Sequence, residues 1–121
     1  MGVFSSNNIP NIELNKPFCL IANTMRKGTI GEHWIACYSD SKNTLEYFDS
    51  LADTPNCDMR QSMLNRFSIV KQSRYSLQSP LSDTCGHYCI CFLFYVQDKE
   101  VIFHPHFKNC TQYLQRVVML F

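Results

Sequence analysis

Charge is scarce in this chain. Asp, Glu, Lys and Arg make up 17% of its 121 residues and nearly cancel, leaving a formal net charge of +1. Without an excess of one sign there is no general pull toward nucleic acid or a charged surface. The basic residues are dispersed, with no run of three, so nucleic acid is only a minor expectation as a partner. Long apolar runs are missing too: none approaches the roughly 20 residues of a membrane span, and no membrane partner is expected. The opening MGVFSSNNIP is polar and has no apolar h-region, which speaks against a secretory leader. Met1-Gly2 followed by Ser5 and Ser6 touches the myristoylation pattern, but a match so short has little weight. No internal repeat or low-complexity segment interrupts the chain.

Apolar residues and thiols are plentiful. A hydrophobic fraction of 45% belongs to a folded protein, and the length suits one domain, 1–121, with an ordinary core. Seven cysteines could suggest a disulfide scaffold, but the number is odd, and without a leader reduced thiols in a reducing intracellular compartment are the expectation.

Taken in order, residues 1 to 16 carry Asn, Ser and Pro and read as an irregular lead-in, with Val3 and Phe4 tucked under the core. Phe18 to Ala22 is a short apolar run that suits a buried strand, and Asn23 to Gly31 a polar loop. Glu32 to Tyr38 and Thr44 to Ser50 flank SDSKN and predict a β-hairpin. Alternation sets His33, Ile35 and Cys37 on one face and Trp34, Ala36 and Tyr38 on the other. Antiparallel pairing then brings Asp49, at the end of the second strand, close to His33 at the start of the first.

Beyond a loop at Thr54 to Asp58, Met59, Met63, Leu64 and Phe67 recur at helical spacing, with Arg60, Gln61 and Asn65 exposed. Ser68 to Gln78 supplies another strand. Gln78 to Tyr95 reads as a loop feeding a buried helix, with Asp83 or Thr84 as N-cap and Cys85 in the first turn. Asp98 to His106 is a connection, and Phe107 to Phe121 a last helix with Tyr113, Val117 and Leu120 inward. The whole is an α+β fold, a mixed sheet packed on a central helix.

A thiolate at a helix N-terminus feels the positive end of the helix dipole and several unpaired N–H donors, which favour the nucleophilic form and can later bind an oxyanion. Gly86 lets another chain approach Cys85 closely. Cysteine catalysis also needs a base, a group that orients it and donors for the tetrahedral intermediate. His33, Asp49 and Gln78 fill those roles in a foldable order. Each has an ordinary reading as well: a sheet histidine, a turn former, a strand end. Trp34 walls the site or is a core aromatic, and Cys85 itself could be one more buried thiol.

These residues carry a family resemblance. The chain resembles the adenovirus-type cysteine proteases (the adenain family), in particular relatives encoded by virus-like DNA transposons and other DNA viruses. GVFSSNNIP, FCLIANT, GEHWIACY, LEYFDSL and QSPLSDTCGHYCICFLF stand in the family's order, and the pairing of HW with Q-x6-C-G is specific. The resemblance implies a papain-like core close to the proteases of ubiquitin-like modifiers, with catalytic His33, Asp49 and Cys85. Gln78 and the Cys85 backbone N–H would form the oxyanion hole, with Trp34 and Gly86 beside the substrate cleft. Asp49 stands where adenovirus enzymes typically carry Glu. The chain begins almost at GVF, so it is expected to lack the family's N-terminal helical segment.

The implied function is a cysteine endopeptidase that needs no cofactor or metal and processes viral or transposon capsid precursors, with a virion as a further location. Deconjugation of a ubiquitin-like fusion is the alternative, and a catalytically silent protein-binding module of the same fold a third reading. A zinc site drawn from Cys85, His87, Cys89, Cys91, His104 and His106 is the remaining rival, but it lacks the paired C-x2-C spacing of structural zinc.

Overall fold

The computed structural model describes residues 2–13, 16–24, 33–40, 43–77 and 84–97. The expected connection at 98–106 and last helix at 107–121 lie outside these residues, as do Gln78 and Asp83. Five strands form one mixed sheet in sequence order: β1 (Gly2–Ser5), β2 (Phe18–Asn23), β3 (Trp34–Ser39), β4 (Thr44–Phe48) and β5 (Ile69–Gln72). The outer pairs β1–β2 and β4–β5 are parallel and the inner pairs antiparallel. Among the described residues, two helices, α1 (Cys57–Ser62) and α2 (Cys85–Gln97), accompany the sheet in an α+β arrangement, together with a 3-10 turn at Leu64–Arg66.

The central hairpin forms where alternation and the turn residues predict it, with Ala36 opposite Phe48 and Tyr38 opposite Glu46. Asn43, just before β4, stands in the left-handed region at φ 57°, a conformation that Asn tolerates better than most residues. The Asn43 side chain also reaches Ser68, while its carbonyl accepts from the N–H of Ile69. One turn residue therefore sets both the hairpin and the start of β5.

Because side chains alternate along β3, the sheet buries both faces. Ile35 and Cys37 join Leu20, Leu45 and Tyr47 against Met59, Met63, Leu64 and Phe67. Ala36 and Phe48 join Cys19 and Ile21 against Tyr88, Cys89, Phe92 and Leu93 of α2, with Trp34 and Tyr38 packed at the margin. The Phe48 and Phe92 rings stack with centroids 4.7 Å apart and planes 9° from parallel. That contact fixes where α2 lies along the sheet, since offset stacking adds about 0.5–1.5 kcal/mol to the burial of two aromatic rings.

Four expectations need correction. Residues 2–5 are a strand paired with β2, not an irregular lead-in, and of the two side chains expected beneath the core Phe4 packs there while Val3 is 60% exposed. The helix expected over Met59 to Phe67 starts earlier, at Cys57 inside the expected Thr54–Asp58 loop, is broken at Met63, whose φ of −129° is not helical, and continues as the 3-10 turn. The strand expected over Ser68 to Gln78 is confined to Ile69–Gln72. Ile90 is 44% exposed despite standing in the apolar run of α2.

Candidate active site

The site grows from the open end of the hairpin. His33 immediately precedes β3 and Asp49 immediately follows β4, so the antiparallel pairing of those strands carries the two side chains to one end of the sheet. His33 Nε2 and Asp49 Oδ1 are 2.7 Å apart. A carboxylate offers only acceptors, so the ring nitrogen must be the donor. The proton of the neutral ring then sits on Nε2 and the basic lone pair on Nδ1.

Both residues are held from behind. The His33 carbonyl accepts from the backbone N–H and the hydroxyl of Thr24. The backbone N–H of Asp49 donates to Ser73 Oγ at 2.9 Å, and the Ser73 hydroxyl donates back to the Asp49 carbonyl at 2.8 Å. Asp49 Oδ1 accepts a second bond, from the Leu51 N–H at 2.8 Å. At 3% exposure Asp49 is buried, and a buried carboxylate needs these partners to offset its lost hydration. Ser73 is the positioning residue the sequence did not reveal, because a lone serine after a short strand carries no pattern.

Burial opposes charging the His33 imidazole, but the bond to Asp49 and the negative charges of Asp49 and Asp53 outweigh it, so the pKa of His33 is raised above its ordinary value. Asp53 enters through the turn that follows Asp49. The Ala52 N–H donates to the Asp49 carbonyl, and Ala52 sits at φ 54°, sending the chain back so that donor atoms of His33, Asp49 and Asp53 all lie within 4.8 Å of one another. Among the described residues no other three of His, Cys, Asp or Glu gather so closely. Cys85, His87, Cys89 and Cys91 thus do not assemble the zinc set weighed from the sequence, and His104 and His106 lie outside the described residues.

Cys85 is the first residue of α2 and is 4% exposed. The carbonyl of Thr84 accepts from the Tyr88 N–H at 3.1 Å, so the first helical bond closes around the cysteine as the sequence predicts. The start of the helix lies on the residue next to His33: Cys89 Sγ donates to the Trp34 carbonyl at 3.2 Å, and a Cβ on Gly86 would stand 3.8 Å from Trp34 Cδ1. Tyr88 also donates its hydroxyl to the Leu77 carbonyl at 3.1 Å, and the Leu77 N–H donates to the Ser50 carbonyl at 2.7 Å. Leu77 is therefore tied both to α2 and to the corner that carries Asp49.

A cleft of about 410 Å³ opens on the α1 side, lined by Asp53, Arg60, Asn65 and Gln72 among others. Neither Cys85 nor Trp34 contributes to it. Among the described residues no helix is long and apolar enough to cross a membrane.

Comparison by sequence finds no matching family model and no matching curated protein. Comparison by structure finds the crystal structure of selenomethionine ASFV pS273R protease, with a TM-score of 0.53 and 21% identity over 88% of this chain and 44% of that one. A second crystal structure of ASFV pS273R protease matches with a TM-score of 0.49 and 21% identity, over 88% of this chain and 43% of that one. The first likeness establishes a similar fold. The chain spans less than half the length of the protease it matches.

Proposed function

We propose that this chain is a cysteine endopeptidase domain, 1–121, of the adenain-like, papain-related kind, in which Cys85 is the nucleophile, His33 the base and Asp49 the residue that orients it. The observation that carries the reading is the 2.7 Å bond from His33 Nε2 to a buried Asp49, beside a helix that begins at a cysteine. A buried Asp that fixes the tautomer of a half-buried His is the supporting half of a catalytic triad. The fold likeness to a viral protease supports a protease reading, and a viral or transposon capsid precursor is the substrate proposed here.

In this mechanism the Cys85 thiol gives its proton to His33 Nδ1, and the sulfur attacks the peptide carbonyl carbon. The carbonyl oxygen becomes an oxyanion held by the backbone N–H of Cys85 and the Gln78 amide. Collapse breaks the C–N bond, and the imidazolium protonates the leaving amine. His33 then takes a proton from water, the resulting hydroxide attacks the thioester carbon, and the Cys85 thiolate leaves the new carboxylic acid. Trp34 and Gly86 flank the scissile bond.

The test is turnover of a peptide library by the wild type and by Cys85→Ala, followed by incubation with capsid-type precursors and with ubiquitin-like fusions. Cleavage by the wild type alone, with precursors preferred, is expected. Equal cleavage by the variant overturns the mechanism, and exclusive cleavage of the fusions would make the protein a deconjugating enzyme.

A further inference from the structure

Asp53 is an exposed residue in a loop, yet the chain turns sharply to bring it back toward the dyad. Ser50 and Leu51 form the turn, and Ala52 completes it at φ 54°, in a region that side chains with a Cβ rarely occupy. Strained backbone of this kind persists only where the surroundings hold it. Its consequence here is that a carboxylate oxygen of Asp53 lies within 4.8 Å of a ring nitrogen of His33 and of a carboxylate oxygen of Asp49. Asp49 is buried and bonded; Asp53 is solvent-facing and is one of the residues, with Arg60, that line the cleft.

We propose that Asp53 is a second carboxylate partner of His33, a positioning residue that stabilises the imidazolium from the solvent side while Asp49 orients the ring from within. This rests on the reading of His33 as the base. The benefit falls on the one species that the mechanism must hold before attack, the thiolate–imidazolium pair. Two carboxylates divide the work because their surroundings differ: a buried bond fixes geometry, whereas an exposed charge acts through space and is open to screening.

Among the described residues, the charged and titratable groups on the elements that carry this site or pack beside it are Asp49 and Asp53 on the β4–α1 connection, Tyr47 on β4, Arg60 on α1, which lines the cleft with Asp53, and Cys85, His87 and Cys89 on α2. Of these, Asp49 and Asp53 act on His33 in the direction of raising its pKa. Arg60 is engaged elsewhere, its Nε donating to the Pro55 carbonyl at 3.0 Å, and Tyr47 is buried with its hydroxyl held neutral by burial and the nearby negative charges.

The experiment follows the His33 imidazole by NMR in the full chain, its signal assigned by loss in His33→Gln, across a pH titration of wild type, Asp53→Asn and Asp53→Glu. The midpoint should fall in Asp53→Asn and return toward the wild-type value in Asp53→Glu. In 1 M salt, where the screening length is about 3 Å, the wild-type midpoint should approach that of Asp53→Asn. A midpoint in Asp53→Asn equal to wild type, or a wild-type midpoint indifferent to salt, overturns the proposal. Failure of the protease reading is a separate result: no peptide turnover and no selective alkylation of Cys85, with the His33 midpoint still moving when Asp53 is changed.

Discussion

Asp49 receives two hydrogen bonds on one carboxylate oxygen, 2.7 Å from His33 Nε2 and 2.8 Å from the Leu51 N–H. The second bond fixes the carboxylate against its own turn, so the first can hold the ring in a single orientation. Asp49→Asn keeps the shape and removes the charge, and its amide can present a donor where the imidazole needs an acceptor. We expect that variant to fold and to lose turnover by about 10³-fold or more, the scale seen when the orienting carboxylate of a triad is neutralised. Steady-state kinetics with a thermal-melt control checks this; activity within tenfold of wild type would remove Asp49 from the mechanism.

The cysteines should divide by reactivity. Cys37 and Cys89 are both fully buried, and burial raises each thiol's pKa, with nearby negative charges adding to the effect at Cys89. Cys89 also spends its S–H on the Trp34 carbonyl. At neutral pH iodoacetamide should leave Cys37 and Cys89 unmodified until the protein is unfolded, while exposed Cys57 reacts at the pace of an ordinary thiol. Cys85 should outpace Cys57 in the wild type and lose that advantage in His33→Ala. Mass-spectrometric mapping gives the order, and rapid labelling of Cys89 in the native state would contradict the packing of α2.

Much of this was legible in the sequence because it follows from local rules. Two alternating strands around an Asn-containing turn dictate that residues 33 and 49 meet, and an oxygen-bearing residue before an apolar run dictates that the helix opens at Cys85. The parts that were not legible depend on distant partners. Gly2–Ser5 becomes a strand by pairing with residues eighteen positions later, and nothing within GVFS announces it. The apolar positions 59, 63, 64 and 67 fit a continuous helix or a helix broken into a 3-10 turn equally well, so the break at Met63 leaves no trace in the pattern. Just beyond β5, Ser73 holds the Asp49 backbone through its hydroxyl, and Asp53 comes close to His33 through a positive φ at an alanine, neither of which composition would suggest. Each of the last two is a support for the site rather than a part of its pattern.

Gly86 separates stability from function. Among the described residues a Cβ there would meet only Trp34 Cδ1, at 3.8 Å, an ordinary van der Waals contact. Ala is the better helix former, so Gly86→Ala should leave stability unchanged or raise it by up to about 1 kcal/mol. If substrate backbone passes over Gly86 on its way to Cys85, the added methyl should raise KM or lower kcat/KM by about tenfold while Cys85 alkylation by a small reagent stays near wild type. Urea denaturation paired with peptide kinetics checks both halves; full activity toward peptides would move the cleft away from Gly86.

The raised pKa of His33 also predicts how stability depends on pH. Burial alone would lower the value, but the Asp49 bond and the charges of Asp49 and Asp53 reverse the sign, so the folded protein binds this proton more tightly than the unfolded chain does. The interaction therefore stabilises the fold fully below the unfolded His value of about 6.5, and the contribution is lost as pH rises through the higher folded value. His33→Gln removes the linkage while keeping a side chain of similar reach. The difference in unfolding free energy between wild type and His33→Gln, measured in urea from pH 6 to pH 9, should favour the wild type most at the acidic end and shrink toward the alkaline end. A difference that grows with pH would mean that the imidazole is held neutral in the folded state, and that burial, not the two carboxylates, governs it.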